Sequence, residues 1–321
     1  MDDGAILNLF QPLYNDIKEE DDFFNKKPLL AHYTSLDVLE KILTTEEIWF
    51  SNPLFMNDLE EVRFGVLHGA RATKENEIIR SALQTEARHK TFTEAFDHFI
   101  AYFEREHLLD TYVFCLSEHA PEDKDGLLSM WRGYGGNGKG VALVFDASQL
   151  GATESSPLII AEVHYASQDE RLGWFDKIAL TLAKILTENH IPDDKIYLAS
   201  SAIFERIKLF ALFSKHHGFK EENEWRVVYL SDRDIDGKLK SMQHYLIGPR
   251  GVEPKLRYKI APIEGVTSPD FSFDKILAKI ILGPSTSSPL AIRSVERMLD
   301  VIGKPELKER LIASSIPLRA T

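Results

Sequence analysis

The stretch LLAHYTSLDVLEKIL, residues 29–43, indicates the first strand and helix of the fold, because an apolar run changes within it to a helical pattern. Residues 29–34 have the length and composition of a short buried strand, and leucines then recur at helical intervals. Thr34 stands three residues before Asp37, a spacing that resembles a capping box. We therefore expect a strand that passes directly into a helix, with Thr34 as its cap.

Further strand and helix patterns follow along the chain. Apolar, β-branched or aromatic runs predict strands at residues 47–53, 111–117, 139–146, 158–166, 224–231, 256–262 and 274–284. Helical patterns cover residues 58–109, 126–135, 168–190, 193–216 and 289–302. No long glycine-, serine- or proline-rich linker interrupts them. We therefore predict a single α+β domain over residues 1–321, with an antiparallel or mixed β-sheet core and helical insertions at about 58–109 and 168–217.

Composition and charge restrict the class of protein. The 321 residues have an apolar fraction of 44% and a formal net charge of −12, as soluble globular chains do. No apolar run approaches the roughly 20 residues that span a bilayer, and MDDGAILNLF lacks the features of a signal peptide. The single cysteine, Cys115, cannot form an internal disulfide. We expect a cytoplasmic protein with no membrane association, and the acidic charge disfavours broad nucleic-acid binding.

The glycine-rich stretch RGYGGNGKG, residues 132–140, has some features of a phosphate-binding loop. A Walker loop has Ser or Thr after its GK pair and a helix beyond, whereas a glycine and a predicted strand follow here. The stretch is therefore typical of a turn in which Asn137 and Gly138 adopt positive φ. Its backbone N–H groups, together with Arg132 and Lys139, could still meet an anion.

The stretch KEENEWRVV, residues 220–228, carries closely spaced charges. If the strand begins near Glu222, alternation places Glu222, Glu224 and Arg226 on one side of it. Such a group can be a solvated strand edge. In a cleft, the guanidinium would instead help to keep one carboxylate ionised, and a reaction with a cationic sugar transition state needs such a carboxylate.

The stretch MWRGYG places Trp131 and Tyr134 three residues apart, on one face of a short helix. Core packing is the ordinary reason for such a pair. The flanking glycines and Arg132 favour a second interpretation, in which one ring is a stacking surface at the rim of a pocket.

Several motifs occur in order along the chain. They are HYT, then SNP with ND-x-x-E, then MWRGYG ahead of KGVALVFD, then ExEWR, and finally SSIPLR. Their order resembles that of the bacterial domain-of-unknown-function family twenty-nine seventy-one, which is linked to abortive-infection loci and so to phage defence. The resemblance extends from about Leu29 to Arg319. The family has no established activity.

A second resemblance concerns mechanism. A strand with a histidine near its end, a polar residue leading into a helix, a strand with Ser and a late strand with E-x-E are similar to parts of ADP-ribosyltransferases. The resemblance implies a split β-sandwich and NAD as the cofactor. It implies that His32 hydrogen-bonds the NAD ribose and that Glu224, or less strongly Glu222, holds the ribose 2′-OH. Trp131 or Tyr134 would stack on nicotinamide.

The same resemblance implies a ligand pocket. Its lining would be Tyr33, Thr34, Ser51, Asn52, Trp131, Arg132, Tyr134 and Arg226. The chain departs from those enzymes in two places, because Tyr33 stands where they usually have glycine and Ser51 only partly matches their serine-threonine-serine strand. The implied partners are a small-molecule nucleotide, and a protein acceptor or a neutralising protein.

Two other functions stay open at the level of the sequence. A non-catalytic sensing or interaction module would keep the pocket without turnover. A metal-dependent nuclease would use Asp58, Glu60 and either Glu222 or Glu224 with Mg²⁺. The acidic net charge, the missing basic stripe and the absence of metal-ligand spacing oppose the nuclease, and helix capping accounts for the acidic residues of SNPLFMNDLEE.

Overall fold

The computed structural model describes residues 2–17, 28–56, 59–150, 153, 155–249 and 251–318, without the side chains of residues 59–64 and 67. The chain divides into two compact units. The helical unit comprises Met1–Glu19, Asn52–Thr111 and Val163–Phe219, and the sheet unit comprises Glu20–Ser51, Tyr112–Glu162 and Lys220–Thr321. The expectation of a single domain stays a prediction.

Twelve strands occur in the described residues. They are β1 Leu29–Thr34, β2 Glu47–Ser51, β3 Thr111–His119, β4 Val141–Asp146, β5 Leu158–Glu162, β6 His164–Ala166, β7 Ser214–His216, β8 Glu224–Leu230, β9 Gln243–Gly248, β10 Gly251–Lys259, β11 Leu277–Leu282 and β12 Leu311–Ala313. The main sheet has the order β12-β11-β4-β1-β3-β2-β10-β9, and β8 pairs with both β3 and β5. Where the register of the main sheet is described residue by residue, the neighbouring strands are antiparallel, except for the parallel pair β11 and β12. The expected α+β class with a mixed, largely antiparallel sheet is confirmed.

The sheet forks at β3. Near the start of this strand, Val113 pairs with Ser51 of β2, whereas near its end the Glu118 N–H donates to the Asn223 carbonyl ahead of β8, at 2.9 Å. The other edge of β3 pairs with β1, where Ser117 lies opposite Ala31. Residues of β3 therefore lie beside three different strands.

The two sides of the sheet carry different cores because side chains alternate along each strand. One side, here called the core face, bears Leu30, Phe114 and Leu143 in the largest apolar cluster of the sheet unit. The opposite side, here called the tryptophan face, bears Ala31, Tyr33, Ala142, Val144 and Ile281, which pack with Trp131.

Ten α-helices occur in the described residues. They are α1 Asp3–Asn8, α2 Leu36–Thr45, α3 Leu59–Lys74, α4 Glu77–Leu83, α5 Glu86–Glu106, α6 Leu128–Gly133, α7 Gln168–Glu188, α8 Tyr197–Phe213, α9 Phe273–Ile276 and α10 Pro289–Val301. In the helical unit, phenylalanines of α5 at positions 92, 96 and 103 are buried in one apolar cluster with side chains of α7 and α8. No helix among the described residues is both long and apolar enough to cross a bilayer.

Several predicted boundaries moved. Thr34 is the last residue of β1, and the N-cap of α2 is Ser35, so the prediction that Thr34 caps the helix is wrong by one residue. The backbone of Ser35 is extended, with φ −87° and ψ 163°, as an N-cap requires. The predicted strand 158–166 is two strands, β5 and β6. Strand β9 was not predicted at all.

Candidate functional site

The E-x-E motif lies at a turn immediately before β8. Glu222 ends a 3-10 helix, Asn223 has φ +46°, and β8 begins at Glu224. The strand therefore begins two residues later than the alternation pattern assumed. The left-handed backbone of Asn223 is the reason, because a residue with positive φ cannot continue an extended strand.

Strand β3 holds this turn in place. The Ser117 hydroxyl donates to the Glu222 carbonyl, and the Glu118 N–H donates to the Asn223 carbonyl. The Trp225 indole N–H donates to the Glu118 carboxylate at 3.1 Å. Two backbone carbonyls and one side chain of the turn are thus bound to neighbouring residues of one strand. Nothing in the sequence near the E-x-E motif indicated that Ser117 and Glu118 would take this part.

Glu224 and Arg226 form a buried ion pair. The Arg226 Nε and Nη2 atoms donate to the two carboxylate oxygens of Glu224 at 2.7 and 3.2 Å. Glu224 is 4% exposed and Arg226 is 3% exposed. The prediction that these two residues share one side of the strand is confirmed. A two-point contact with a guanidinium stabilises the carboxylate charge and occupies both of its oxygens.

Glu222 is in a different environment from Glu224. It is half-buried, and its Oε1 accepts a hydrogen bond from the Tyr134 hydroxyl at 3.0 Å. The Tyr134 side chain is 42% exposed, so part of its ring faces solvent beside this carboxylate. Residues 222 and 224 are two positions apart, which keeps their α-carbons within about 7 Å. One turn therefore carries an accessible carboxylate and a fixed one.

The glycine-rich stretch after α6 is a turn, as predicted. Asn137 has φ +54° and Gly138 has φ +83°, and the Gly140 N–H donates to the Gly135 carbonyl at 2.9 Å. Gly140 permits a close approach, because a β-carbon there would lie 2.2 Å from the Thr34 carbonyl oxygen. Arg132 is exposed. Its assignment to a ligand stays a prediction.

His32 lies on β1 with its ring 4.5 Å from that of Phe114. Its Nδ1 is 3.1 Å from the Cys115 carbonyl oxygen. Because a carbonyl can only accept, Nδ1 carries the proton of the neutral ring and Nε2 keeps a lone pair. Burial lowers the pKa of His32 below its ordinary value, and the carbonyl acts weakly in the opposite direction. A neutral imidazole with an acceptor at Nε2 is thus the stable form near pH 7.

His32 and Glu224 belong to opposite sides of their strands. The His32 ring packs on Phe114, which is part of the core-face cluster. Trp225 belongs to the same cluster, so alternation directs its neighbour Glu224 to the other side of β8. A site that uses both His32 and Glu224 stays a prediction, and the strand pattern does not favour it.

Tyr33 and Trp131 are buried parts of the fold. The Tyr33 hydroxyl accepts from the Leu127 N–H at 2.9 Å, and burial raises the pKa of Tyr33 to about 12. The Trp131 indole N–H donates to the Asp125 carbonyl at 2.7 Å, and the two rings meet edge to face at 4.8 Å. Because the Trp131 side chain is fully buried, Tyr134 is the better candidate for stacking.

Ser51 and Asn52 have partners within the protein. The Lys255 ammonium donates to the Ser51 hydroxyl at 2.9 Å. Asn52 is fully buried, and its amide donates to the carbonyls of Leu108 and Thr111 at 2.8 and 2.9 Å. The side-chain oxygen of Asn52 accepts a hydrogen bond from the Leu54 N–H. These contacts account for the residue type at both positions, and their ligand-binding roles stay predictions.

The residues suggested for a metal-dependent nuclease are only partly described. Asp58 lies outside the described residues, and nothing is known of the position of the Glu60 side chain. In the part of the chain that the structure describes, no three His, Cys, Asp or Glu side chains are grouped so that they could hold a metal ion. The described residues therefore give no support to the nuclease hypothesis.

A family model matches part of the chain. Residues 130–227 match the model of a family described as a protein of unknown function, DUF2971. No curated protein and no solved structure matches the chain. The match supports the family resemblance over less than a third of the chain. This part includes Tyr134, Glu222, Glu224 and Arg226, whereas His32 lies outside it.

Proposed function

We propose that the turn before β8 binds a nucleotide and cleaves the nicotinamide–ribose bond of NAD, as an ADP-ribosyltransferase or an NAD glycohydrolase does. The observation that carries the proposal is the pairing of Glu222 with Tyr134. It sets a half-buried carboxylate beside a partly exposed aromatic ring. A ribose hydroxyl can donate to the first, and the cationic nicotinamide ring can stack on the second.

The reaction requires a carboxylate near the ribose. As the bond between the ribose carbon and the nicotinamide nitrogen breaks, its electron pair stays on nitrogen, and neutral nicotinamide leaves. The ribose becomes oxocarbenium-like, so a carboxylate stabilises the transition state more than the ground state. Water, or the hydroxyl of an acceptor, then bonds to the same carbon and releases its proton to solvent.

In this proposal Glu222 contacts the substrate and Glu224 positions the turn. Both oxygens of Glu224 already receive hydrogen bonds from Arg226, and the residue is 4% exposed. Its partner Arg226 therefore orients it and leaves it little surface for a ribose. The Oε1 atom of Glu222 accepts a hydrogen bond from the partly exposed Tyr134, and a ligand can displace or share that contact. The preference for Glu224 that the sequence resemblance implied is thus reversed.

The first test is NAD binding by calorimetry, followed by nicotinamide release with and without cell lysate. Glu222→Gln should lower release by at least about a hundredfold, while the protein keeps its fold. Glu221→Gln is the matched control, because it removes the same charge from an exposed neighbour and should leave release unchanged. Tyr134→Phe should leave NAD binding nearly unchanged, because it keeps the stacking ring and removes only the hydrogen bond to Glu222.

Each other outcome has a definite meaning. Binding without release would favour the non-catalytic sensing module, and absence of binding would refute the proposal. If Glu222→Gln releases nicotinamide at the full rate and a folded Glu224→Gln releases none, then Glu224 contacts the substrate and Glu222 positions the turn. His32→Ala tests the remaining implied residue, since normal turnover by that variant would remove His32 from the site. Transfer of label from NAD to lysate protein would identify a protein acceptor, and plating efficiency of phages on expressing cells would test the link to phage defence.

A further inference from the structure

Strand β9 forms one edge of the main sheet. It is the last strand in the sheet order, and no strand of the described residues pairs with its outer side. Its inner side is fixed, because β9 pairs with β10 in continuous register from Gln243 opposite Leu256 to Gly248 opposite Gly251. An edge strand presents a row of backbone N–H and C=O groups that another chain can pair with. The outer side of β9 is therefore a preformed pairing surface.

This strand lacks the features that usually protect a sheet edge. Proteins keep edge strands very short, or place charged residues and proline in them. The opposite edge strand, β12, has three residues, and all three are partly buried. Strand β9 has six residues, and its sequence QHYLIG contains no Asp, Glu, Lys, Arg or proline. The longer of the two edges is thus the unprotected one.

The exposed side chains of β9 are apolar on both sides of the sheet. Ile247 lies opposite Val252 of β10, and these two side chains are 72% and 60% exposed. They lie on the core face together with Tyr245, since Leu256 in the same alternation belongs to the core-face cluster. Leu246 lies on the other side of the sheet and is exposed as well. A partner strand would therefore cover apolar side chains on both sides.

The charges around this edge allow a second copy of the chain to be that partner. The net charge of −12 makes two copies repel one another where acidic side chains meet. Residues 243–259, which form β9 and β10, contain a single acidic residue, Glu253. Glu253 is 4% exposed, and its carboxylate lies 3.2 Å from the Lys255 ammonium. Two β9 edges can therefore meet without an exposed acidic side chain between them.

We propose that two copies of this chain pair through β9, antiparallel and about a two-fold axis at Leu246. In this register Leu246 lies opposite its counterpart, and Tyr245 lies opposite Ile247 of the second copy. Such pairs of aromatic and β-branched side chains stabilise neighbouring strands, and the same surface serves both copies. The contact of two six-residue strands is small beside the roughly 1,200 Å² of a standard interface. The dimer is therefore weak and dissociates in the micromolar range.

Sedimentation velocity of the full chain, over a concentration series that brackets the micromolar range, tests the pairing. The unsubstituted chain should pass from monomer to dimer. Leu246→Lys and Leu246→Glu should each stay monomeric, because like charges then lie opposite one another at the axis. An equimolar mixture of these two variants should recover the dimer, since a lysine then lies opposite a glutamate. Ile235→Lys is the matched control, because Ile235 is 93% exposed in a turn of the same unit, and it should dimerise as the unsubstituted chain does.

Three results would overturn the proposal. The first is an unsubstituted chain that stays monomeric at every concentration. The second is a Leu246→Lys variant that dimerises as well as the unsubstituted chain, because its dimer would use another surface. The third is a mixture of the two charged variants that stays monomeric, which would refute the axis at Leu246. Since Leu246 is exposed, circular dichroism should show an unchanged fold in both variants. Leu246 lies outside the E-x-E turn, so none of these results bears on the proposed NAD chemistry.

Discussion

Replacing Arg226 with methionine leaves the Glu224 carboxylate buried without its guanidinium. The two side chains are 3% and 6% exposed, with an Nε–Oε1 distance of 2.7 Å. Removing one partner of a buried pair costs about 3–5 kcal/mol, because the remaining charge loses its compensation. An exposed pair contributes only about 0–1 kcal/mol. We therefore expect Arg226→Met to lower the free energy of unfolding by about 3–5 kcal/mol.

The double variant separates charge burial from packing. When Glu224→Met accompanies Arg226→Met, the carboxylate that lost its guanidinium is removed as well, so the double variant should be more stable than Arg226→Met alone. The difference between the double variant and the sum of the singles is the coupling of the pair. Lys41→Met is the control, since Lys41 and Asp37 form an exposed pair at 3.9 Å in the same unit. The control should change nothing measurable.

Urea unfolding, followed by both circular dichroism and tryptophan fluorescence, measures these changes. Two probes are needed because a chain with two compact units can depart from two-state unfolding. A loss below about 1 kcal/mol for Arg226→Met, with an unchanged denaturant slope, would show that solvent reaches the pair. Strictly additive single effects would show that the two residues do not stabilise one another, and either result refutes the reasoning.

Three further predictions rest on single contacts. Asn52→Ala should destabilise the protein by about 1–3 kcal/mol in urea unfolding, because one buried and one partly buried carbonyl lose their donor; an unchanged midpoint would contradict this. Gly140→Ala should lower the melting temperature markedly, since its β-carbon would lie 2.2 Å from the Thr34 carbonyl oxygen; normal melting would mean that the turn relaxes easily. Burial lowers the pKa values of His32 and His119, so the unfolded chain binds more protons below about pH 6.5 and stability should fall as the pH falls from there. Urea midpoints at about pH 7.5 and 5.5 measure this, and His32→Gln should reduce the difference.

The predictable part of the fold is local. The strands predicted at residues 29–34 and 139–146 are found at Leu29–Thr34 and Val141–Asp146, because a short apolar run bounded by turn residues is typical of a buried strand. The turn before β4 was predicted from an Asn-Gly pair, whose backbone tolerates positive φ. Strand β9 was not predicted, because it is an edge strand with largely exposed side chains and its residues show no burial pattern.

Only the part of the candidate site that lies within a single strand could be predicted from the sequence. Alternation along the chain placed Glu224 and Arg226 on the same side, and they do form a pair. The contact between Tyr134 and Glu222 joins residues 88 positions apart, so no local pattern could indicate it. The same holds for Ser117, whose hydroxyl holds the turn through a carbonyl 105 positions away.

By itself, the sequence determined the α+β class, most strands and helices and the alternation within β8. Those features follow from periodicity and turn chemistry between near neighbours. The packing of distant strands determines which of Glu222 and Glu224 is buried against arginine and which lies beside a partly exposed tyrosine. This outcome depends on how distant strands pair, because burial belongs to the packed sheet and not to any single segment.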